Sequence, residues 1–207
     1  MNQKTNQFKC IVFDTETTGL PARYTAHPKE WPRLVQLGYY VISWDDRVFA
    51  KSKQMVRPEG FEIPYLATKV HGITTEMATA EGFELEKVMT DFGKFWKNCQ
   101  FMMCHNYKYD IGIVQGEAFR LWDKMPFSLK PHVCTMEQTR NICKLKQRNS
   151  HAFKNPKLEE LHQFCFNTGF SGAHDALADV DATWRCFDHL SRLGHKFEPI
   201  PNTFEFY

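Results

Sequence analysis

Apolar and polar positions change their period twice along the chain, and each change marks a different kind of element. Residues 8–14 (Phe8-Lys9-Cys10-Ile11-Val12-Phe13-Asp14) form a continuous apolar run ending in an acid, the pattern of a strand covered on both faces. A second run, Leu34 to Ile42, and a third at roughly 47–56 flank Asp45-Asp46, which supplies turn chemistry, so an antiparallel three-strand meander is predicted. Beyond it the spacing turns helical. Leu85, Val88, Met89, Phe92, Phe95 and Trp96 recur every three or four residues. The short apolar run 101–104 follows as a strand, and Ile111, Val114, Ala118 and Leu121 give a second helical stripe. A fifth strand is predicted at 132–135. Helices are predicted around Leu158, Leu161 and Cys165, and around Leu177, Val180, Trp184 and Phe187. A meander followed by strand–helix alternation predicts an α/β domain, a mixed sheet covered by helices. After His195 no period is readable.

Length and composition narrow the class. At 207 residues the chain suits one well-cored domain. No window approaches 18 consecutive apolar residues, and the N-terminus (Met1-Asn2-Gln3-Lys4-Thr5-Asn6-Gln7) lacks the apolar stretch of a signal peptide. These features predict an intracellular protein, cytoplasmic or in the nucleoid or nucleus, with no membrane partner. Seven cysteines are scattered without a Cys-x-x-Cys pair, which predicts reduced, mostly buried thiols rather than a disulfide framework or a structural zinc site. The net charge of +2 becomes informative once divided: residues 124–157 hold eight Lys/Arg against one acid, Glu137, so the rest of the chain is net acidic. A basic segment beside an acidic remainder suits a binder of phosphate backbones with a metal-holding pocket, and it equally suits a solvated basic loop.

Three short segments carry candidate chemistry. In Asp14-Thr15-Glu16-Thr17-Thr18-Gly19-Leu20, strand alternation puts Asp14 and Glu16 on one side, roughly 6–7 Å apart along the strand. Two acids at the end of a buried strand repel unless a cation lies between them, and hard divalent ions prefer carboxylate oxygens. An exposed acidic strand end with a solvated turn is the ordinary alternative. In His105-Asn106-Tyr107-Lys108-Tyr109-Asp110, a strand gives way to a helix; Asp110 is a third metal partner or simply a helix cap, and Tyr109 offers an aromatic face. In Gly172-Ala173-His174-Asp175-Ala176-Leu177-Ala178-Asp179-Val180, Asp179 lies off the apolar stripe and His174 precedes it. An imidazole there suits a general base, and a surface histidine and an exposed helical acid are the plain alternatives.

Taken in order, Asp-x-Glu-x-Thr-Gly, Asn-x-x-Tyr-Asp and His-x-Ala-x-x-Asp resemble the three motifs of the DEDDh 3′→5′ exonucleases, which include the proofreading subunit of bacterial replicative polymerase, oligoribonucleases and 3′ repair exonucleases. The connectors match as well: Arg33-Leu34-Val35-Gln36-Leu37-Gly38, His71-Gly72-Ile73-Thr74 and Lys157-Leu158-Glu159-Glu160-Leu161 resemble family segments. The likeness runs from about residue 8 to residue 193. Tyr109 stands where many relatives have Phe, and residues 124–157 are more basic than the family pattern, with 148–151 reading as an insertion.

The resemblance implies a ribonuclease H-like fold and assigns residues. Asp14, Glu16 and Asp179 would ligate one metal; Asp14 would reach a second, Asp110 would contribute through water, and His174 would be the general base. The cofactors implied are two divalent cations, Mg²⁺ or Mn²⁺. Thr15 and Thr17 would contact the terminal nucleotide and Leu20 would wedge against its base, with His71, His105, Asn106 and Tyr109 as lesser substrate contacts. The expected layout is a polar arm at 1–7, an exonuclease domain at 8–195 and a tail at 196–207. Expected partners are single-stranded nucleic acid 3′ ends and, as for some relatives, a DNA polymerase or other replication or repair proteins. DNA is slightly favoured over RNA. An RNA-specific exoribonuclease and a non-catalytic nucleic-acid-binding or polymerase-docking module of the same fold are the alternatives, and the sequence does not set the oligomeric state.

Overall fold

A computed structural model describes residues 6–126, 128–147 and 151–202. Five strands form one sheet in the order β3-β2-β1-β4-β5: β1 Phe8–Thr17, β2 Leu34–Ile42, β3 Val48–Met55, β4 Cys99–Cys104 and β5 His132–Cys134. β1 lies at the centre. It pairs antiparallel with β2, which pairs antiparallel with β3, and parallel with β4, which pairs parallel with β5. The meander and the mixed, helix-covered sheet expected from the sequence are both present. β1 runs to Thr17, so Asp14 and Glu16 sit within it, opposite Gly38 and Gln36 of β2.

Eight α-helices lie among the described residues: α1 Tyr65–His71, α2 Thr75–Glu81, α3 Leu85–Trp96, α4 Tyr107–Trp122, α5 Thr135–Gln138, α6 Arg140–Cys143, α7 Leu158–Phe166 and α8 Ala176–Arg192. Side-chain alternation along β1 splits the interior in two. Ile11 and Phe13 join Phe92 and Trp96 of α3 and Ile111 and Val114 of α4 in the larger core. Cys10 and Val12 join Met103 of β4 and Val180, Trp184 and Phe187 of α8 in a second core on the opposite face. Continued by two residues, that alternation sends Asp14 and Glu16 toward α8 and Thr15 and Thr17 toward α4.

α4 is held in place by polar and steric devices. Glu117 of α4 is fully buried; its carboxylate accepts from the Leu34 backbone N–H at 2.8 Å and from Arg33 Nε at 2.9 Å, and it pairs with Arg120. This buried acid is satisfied on all sides, so it holds the start of β2 against α4. On the same helix Gly112 faces the Trp31 ring so closely that an added Cβ would lie 2.2 Å from it.

Several elements depart from expectation. Thr135, assigned to the fifth strand, instead opens α5, because β5 ends at Cys134. The short helices α1 and α2 had no readable period: Tyr65, Leu66 and Val70 are exposed, so no apolar stripe marks them. The described part of the tail is packed. Ile200 forms an antiparallel bridge with His132, Phe197 lies 4.8 Å from Phe187, and Asn202 donates to the Tyr107 hydroxyl. Residues 1–5, 148–150 and 203–207 lie outside the described residues, so most of the expected arm, most of the expected insertion and the end of the tail do too. All seven cysteines are free, six of them buried. No helix among the described residues is long and apolar enough to cross a membrane.

Candidate active site

The ends of β1 and β4 and the starts of α4 and α8 converge on a cavity of about 620 Å³. Every candidate residue named from the sequence lines it: Asp14, Thr15, Glu16, Thr17, Leu20, His71, His105, Asn106, Tyr109, Asp110, His174 and Asp179. Residues spread over most of the chain therefore meet at one place.

Alternation along β1 does the sorting. Glu16 and Asp179 face each other across the β1–α8 side, and with His174 they offer ligand atoms all within 4.8 Å of one another. On the α4 side, Asp110 receives the Thr15 backbone N–H at 3.0 Å and the Thr15 hydroxyl at 2.8 Å. Thr15 thus spends its hydroxyl on holding Asp110. Thr17 and Tyr109 form a second link. The Tyr109 hydroxyl donates to the Gly19 carbonyl at 2.7 Å and makes a short hydrogen bond with the Thr17 hydroxyl. The turn after β1 is thereby tied to α4, and Leu20 beyond it stands 82% exposed at the rim.

α8 is placed by contacts that its own sequence does not reveal. Asp175 is its N-cap, accepting from the backbone N–H groups of Leu177 and Ala178. The Asp175 carboxylate also pairs with Lys53 of β3 at 2.7 Å, and buried Gln36 accepts from the Ala176 N–H at 3.0 Å. His174 just before the cap adopts a left-handed backbone, φ 68°, and donates its backbone N–H to Asp179 at 3.2 Å. His105 is differently employed: its ring hydrogen-bonds the Thr135 hydroxyl and donates to the Pro156 carbonyl at 3.0 Å, bracing the far wall. His71 accepts the Ile73 N–H through Nδ1.

The electrostatics of the cavity follow from burial first and like charge second. Burial, then Asp110, Asp179 and Glu16, push the Asp14 carboxyl well above the ordinary carboxylate range. Glu16 is pushed up to about 8 by burial and by Asp179 and Asp110. Asp110 is also pushed up to about 8 by burial, against the two Thr15 hydrogen bonds that favour its charged form. Asp179 rises to about 6, again chiefly through burial. Among the described residues none of these four carboxylates has a Lys or Arg in ion-pairing contact. Four crowded, unneutralised carboxylates with an imidazole beside them form a hard-oxygen donor set that fits a divalent cation.

Sequence reading missed Gln36 and Gly38 as supports of α8, the dual role of Asp175, and the walls supplied by Met136, Asn155, Glu159 and Phe170. An Asp just ahead of a helical stripe is a cap signature, so Asp175 was findable; its pairing with Lys53, 122 residues away, was not.

Comparison with known proteins agrees with this geometry. The family model described as Exonuclease matches residues 11–187. DNA polymerase III subunit epsilon of Buchnera aphidicola subsp. Acyrthosiphon pisum is 27% identical over 84% of this chain and 69% of its own length. The PolC-type DNA polymerase III of Streptococcus pneumoniae D39 is 28% identical over 64% of this chain, which spans only 8% of that polymerase. E. coli Exonuclease I, solved with a dT13 oligonucleotide, shares the fold with a TM-score of 0.70 at 19% identity, covering 90% of this chain and 41% of that one. With its mixed, helix-covered sheet and its site residues in the order of the DEDDh motifs, the chain belongs to the exonuclease family, within its DEDDh type.

Proposed function

We propose that this chain hydrolyses single-stranded nucleic acid from its 3′ end, releasing nucleoside 5′-monophosphates, with DNA preferred to RNA. One observation carries the reading: Asp14, Glu16, Asp110, His174 and Asp179, separated by up to 165 positions, line one cavity. A docking module that had lost chemistry would have no reason to crowd four carboxylates at the cost their raised pKa values express. The preference for DNA is supported by the polymerase subunits and the oligonucleotide-bound Exonuclease I among its relatives.

Asp14, Glu16, Asp110 and Asp179 would hold two divalent cations, Mg²⁺ or Mn²⁺. When bound, such ions supply Lewis acidity at the scissile phosphodiester and neutralise the acidic cup. The protein's own groups do the rest. Thr15 holds Asp110 in place through both its N–H and its hydroxyl. The exposed Leu20 side chain wedges against the terminal base. His174 takes the proton of the attacking water as the new P–O bond forms and the bond to the 3′ oxygen breaks, the departing oxygen gaining a proton from solvent. Its position in a loop, held through its backbone rather than its ring, leaves the imidazole free to turn toward substrate. Cation and nucleic acid binding should be coupled, because the empty cup repels phosphate.

Timed digestion of matched 3′-labelled DNA and RNA oligomers, with Mg²⁺, Mn²⁺ or chelator, tests the reading. Mononucleotide release that chelator abolishes is expected, faster on DNA. Faster digestion of RNA would replace the substrate assignment while keeping the chemistry. Resistance of both substrates, with binding that survives chelation, would leave a non-catalytic module. His174→Ala is expected to cost about 10²–10⁴-fold in kcat, the usual range for a lost acid–base group.

A further inference from the structure

The cavity is acidic, yet one of its walls continues into an array of unpaired cations. Residues 145–147 and 151–154 form two arms of a hairpin: Lys146 bridges Phe153 in antiparallel pairing, Lys154 N–H donates to the Leu145 carbonyl at 2.9 Å, and Gln147 N–H to that of Ala152. Directly opposed residues of an antiparallel pair point to the same side. Leu145 turns inward onto the small core around Cys143, Leu161 and Leu190, so Lys146 next to it turns outward; Lys144, the left-handed cap that ends α6, is exposed beside it. Phe153, opposite Lys146, shares that outward side and is only partly buried. Two residues further along the extended chain, Asn155 lines the cavity, followed by Pro156 and Lys157.

The array is fixed relative to the cavity. Lys154 pairs with Glu160 of α7, and the Pro156 carbonyl is held by His105 at the end of β4. Lys144 and Lys146 form no ion pair among the described residues, and neither does exposed Arg140 just before them. Lys53 and Lys87, by contrast, pair with Asp175 and Asp91. Unpaired cations, with an aromatic ring among them, leading to the lip of an acidic cup are the arrangement of a single-strand groove: ammonium groups for phosphates and a ring for a base.

Resting on the exonuclease reading above, we propose that this outward hairpin face is the track for the single strand upstream of its 3′ end, Lys144 and Lys146 meeting backbone phosphates and Phe153 stacking on a base. The track is blind to sequence, because phosphate contacts position a strand and do not read it. It also makes the enzyme favour long strands over short ones, since a dinucleotide filling the cavity does not extend to the hairpin.

The test is the ratio of kcat/KM for a 20-nucleotide thymidine oligomer to that for a thymidine dinucleotide, with the salt dependence of 20-mer binding in chelator. In Lys144→Gln/Lys146→Gln the ratio is expected to fall about tenfold, and the slope of log K against log salt to shrink by about 1.4, or about 0.7 for each phosphate that is no longer neutralised. Lys144→Arg/Lys146→Arg should restore both, which a merely misfolded variant would not do. An unchanged ratio and slope, or equal losses on both substrates, would overturn the track. So would polyglutamate competing as well as the oligonucleotide, which would mark a surface for acidic protein instead. Should the wild type degrade neither substrate while the slope still shrinks in the Gln variant, the track stands and the exonuclease reading fails.

Discussion

Gly38 of β2 lies directly beneath the backbone of Ala176, so that a Cβ at position 38 would come within 2.5 Å of the Ala176 carbonyl carbon and 2.7 Å of the Leu177 nitrogen. Gly38 is also the register partner of Asp14. One missing side chain therefore lets the start of α8, with His174 and Asp179, approach the strand that carries Asp14 and Glu16. Gly38→Ala forces the helix start outward, since the obstacle is backbone and cannot swing aside. We expect a stability loss of about 1–3 kcal/mol from overpacking, measured by denaturant unfolding. Activity should fall by about 10²-fold or more, because displacing a catalytic constellation by even 1 Å is costly. Wild-type activity in a folded Gly38→Ala protein would mean that α8 does not set the site.

Metal-free stability should depend on pH in a defined direction. Glu16 and Asp110, both raised to about 8 in the folded chain, hold protons that the unfolded chain releases near ordinary carboxylate values. Their contribution is fully present at low pH and is lost as pH rises toward 8. Buried His105 and His132, both pushed down to about 4, act oppositely between about pH 4 and 6.5, where the unfolded chain takes up protons first. The clean window is about pH 6.5–8, where the Tm of chelator-treated protein should fall. Saturating Mn²⁺ should raise Tm more at the upper end of that window, since protons and cation compete for the same oxygens. Asp14→Asn, by removing a buried carboxyl that the unfolded chain ionises freely and the folded chain does not, should raise the metal-free Tm at about pH 8. A lower Tm there would assign Asp14 a structural part.

Much of this site was legible because its chemistry is written in short, local patterns. Asp14 and Glu16 share a face through the period of two, and Asp179 is excluded from the apolar stripe of its helix by the period of 3.6. The sheet was readable for the same reason, down to the meander. What stayed hidden was long-range and steric. Nothing near Gly38 announces Ala176, and nothing near Glu117 announces that a helical glutamate is buried under Arg33 and the Leu34 N–H. α1 escaped notice because Tyr65, Leu66 and Val70 face outward, and the tail because, among the described residues, its hold on the sheet edge is a single bridge at Ile200. Thr15 and His105, expected as substrate contacts, also carry internal contacts that the sequence does not announce. A sequence presents a hydroxyl or an imidazole as available, whereas in the structure one is committed to Asp110 and the other to Thr135 and Pro156.

Tyr109 makes a sharper case. A phenyl ring at this position would stack as well, but only the hydroxyl reaches the Gly19 carbonyl and Thr17. Tyr109→Phe should cost about 1 kcal/mol of stability, the usual net worth of a hydrogen bond. Because the freed turn carries Leu20, the terminal base should be held less firmly. We expect KM for a single-stranded oligomer to rise about fivefold with kcat nearly unchanged, the equivalent of about 1 kcal/mol in binding. A fall in kcat at constant KM would instead place the Tyr109 hydroxyl in the reaction itself.

Asp175 separates a capping role from an electrostatic one. One oxygen caps α8 and the other pairs with Lys53, in a bridge that is substantially exposed on both sides. Exposed pairs contribute little, typically under about 1 kcal/mol, whereas a lost N-cap costs about 1 kcal/mol and lets the first helical turn fray. That turn holds Asp179. Asp175→Asn keeps the cap and removes a charge that opposes ionisation of Asp14, Glu16 and Asp179. It should therefore be close to wild type in stability, with cation affinity slightly weakened by the lost negative charge. Asp175→Ala should lose both the cap and activity, and adding cation should restore part of its Tm by pinning Asp179 again. If the two variants behave alike in stability and in rate, the cap is not what positions Asp179, and the Lys53 bridge from the edge strand takes over that role.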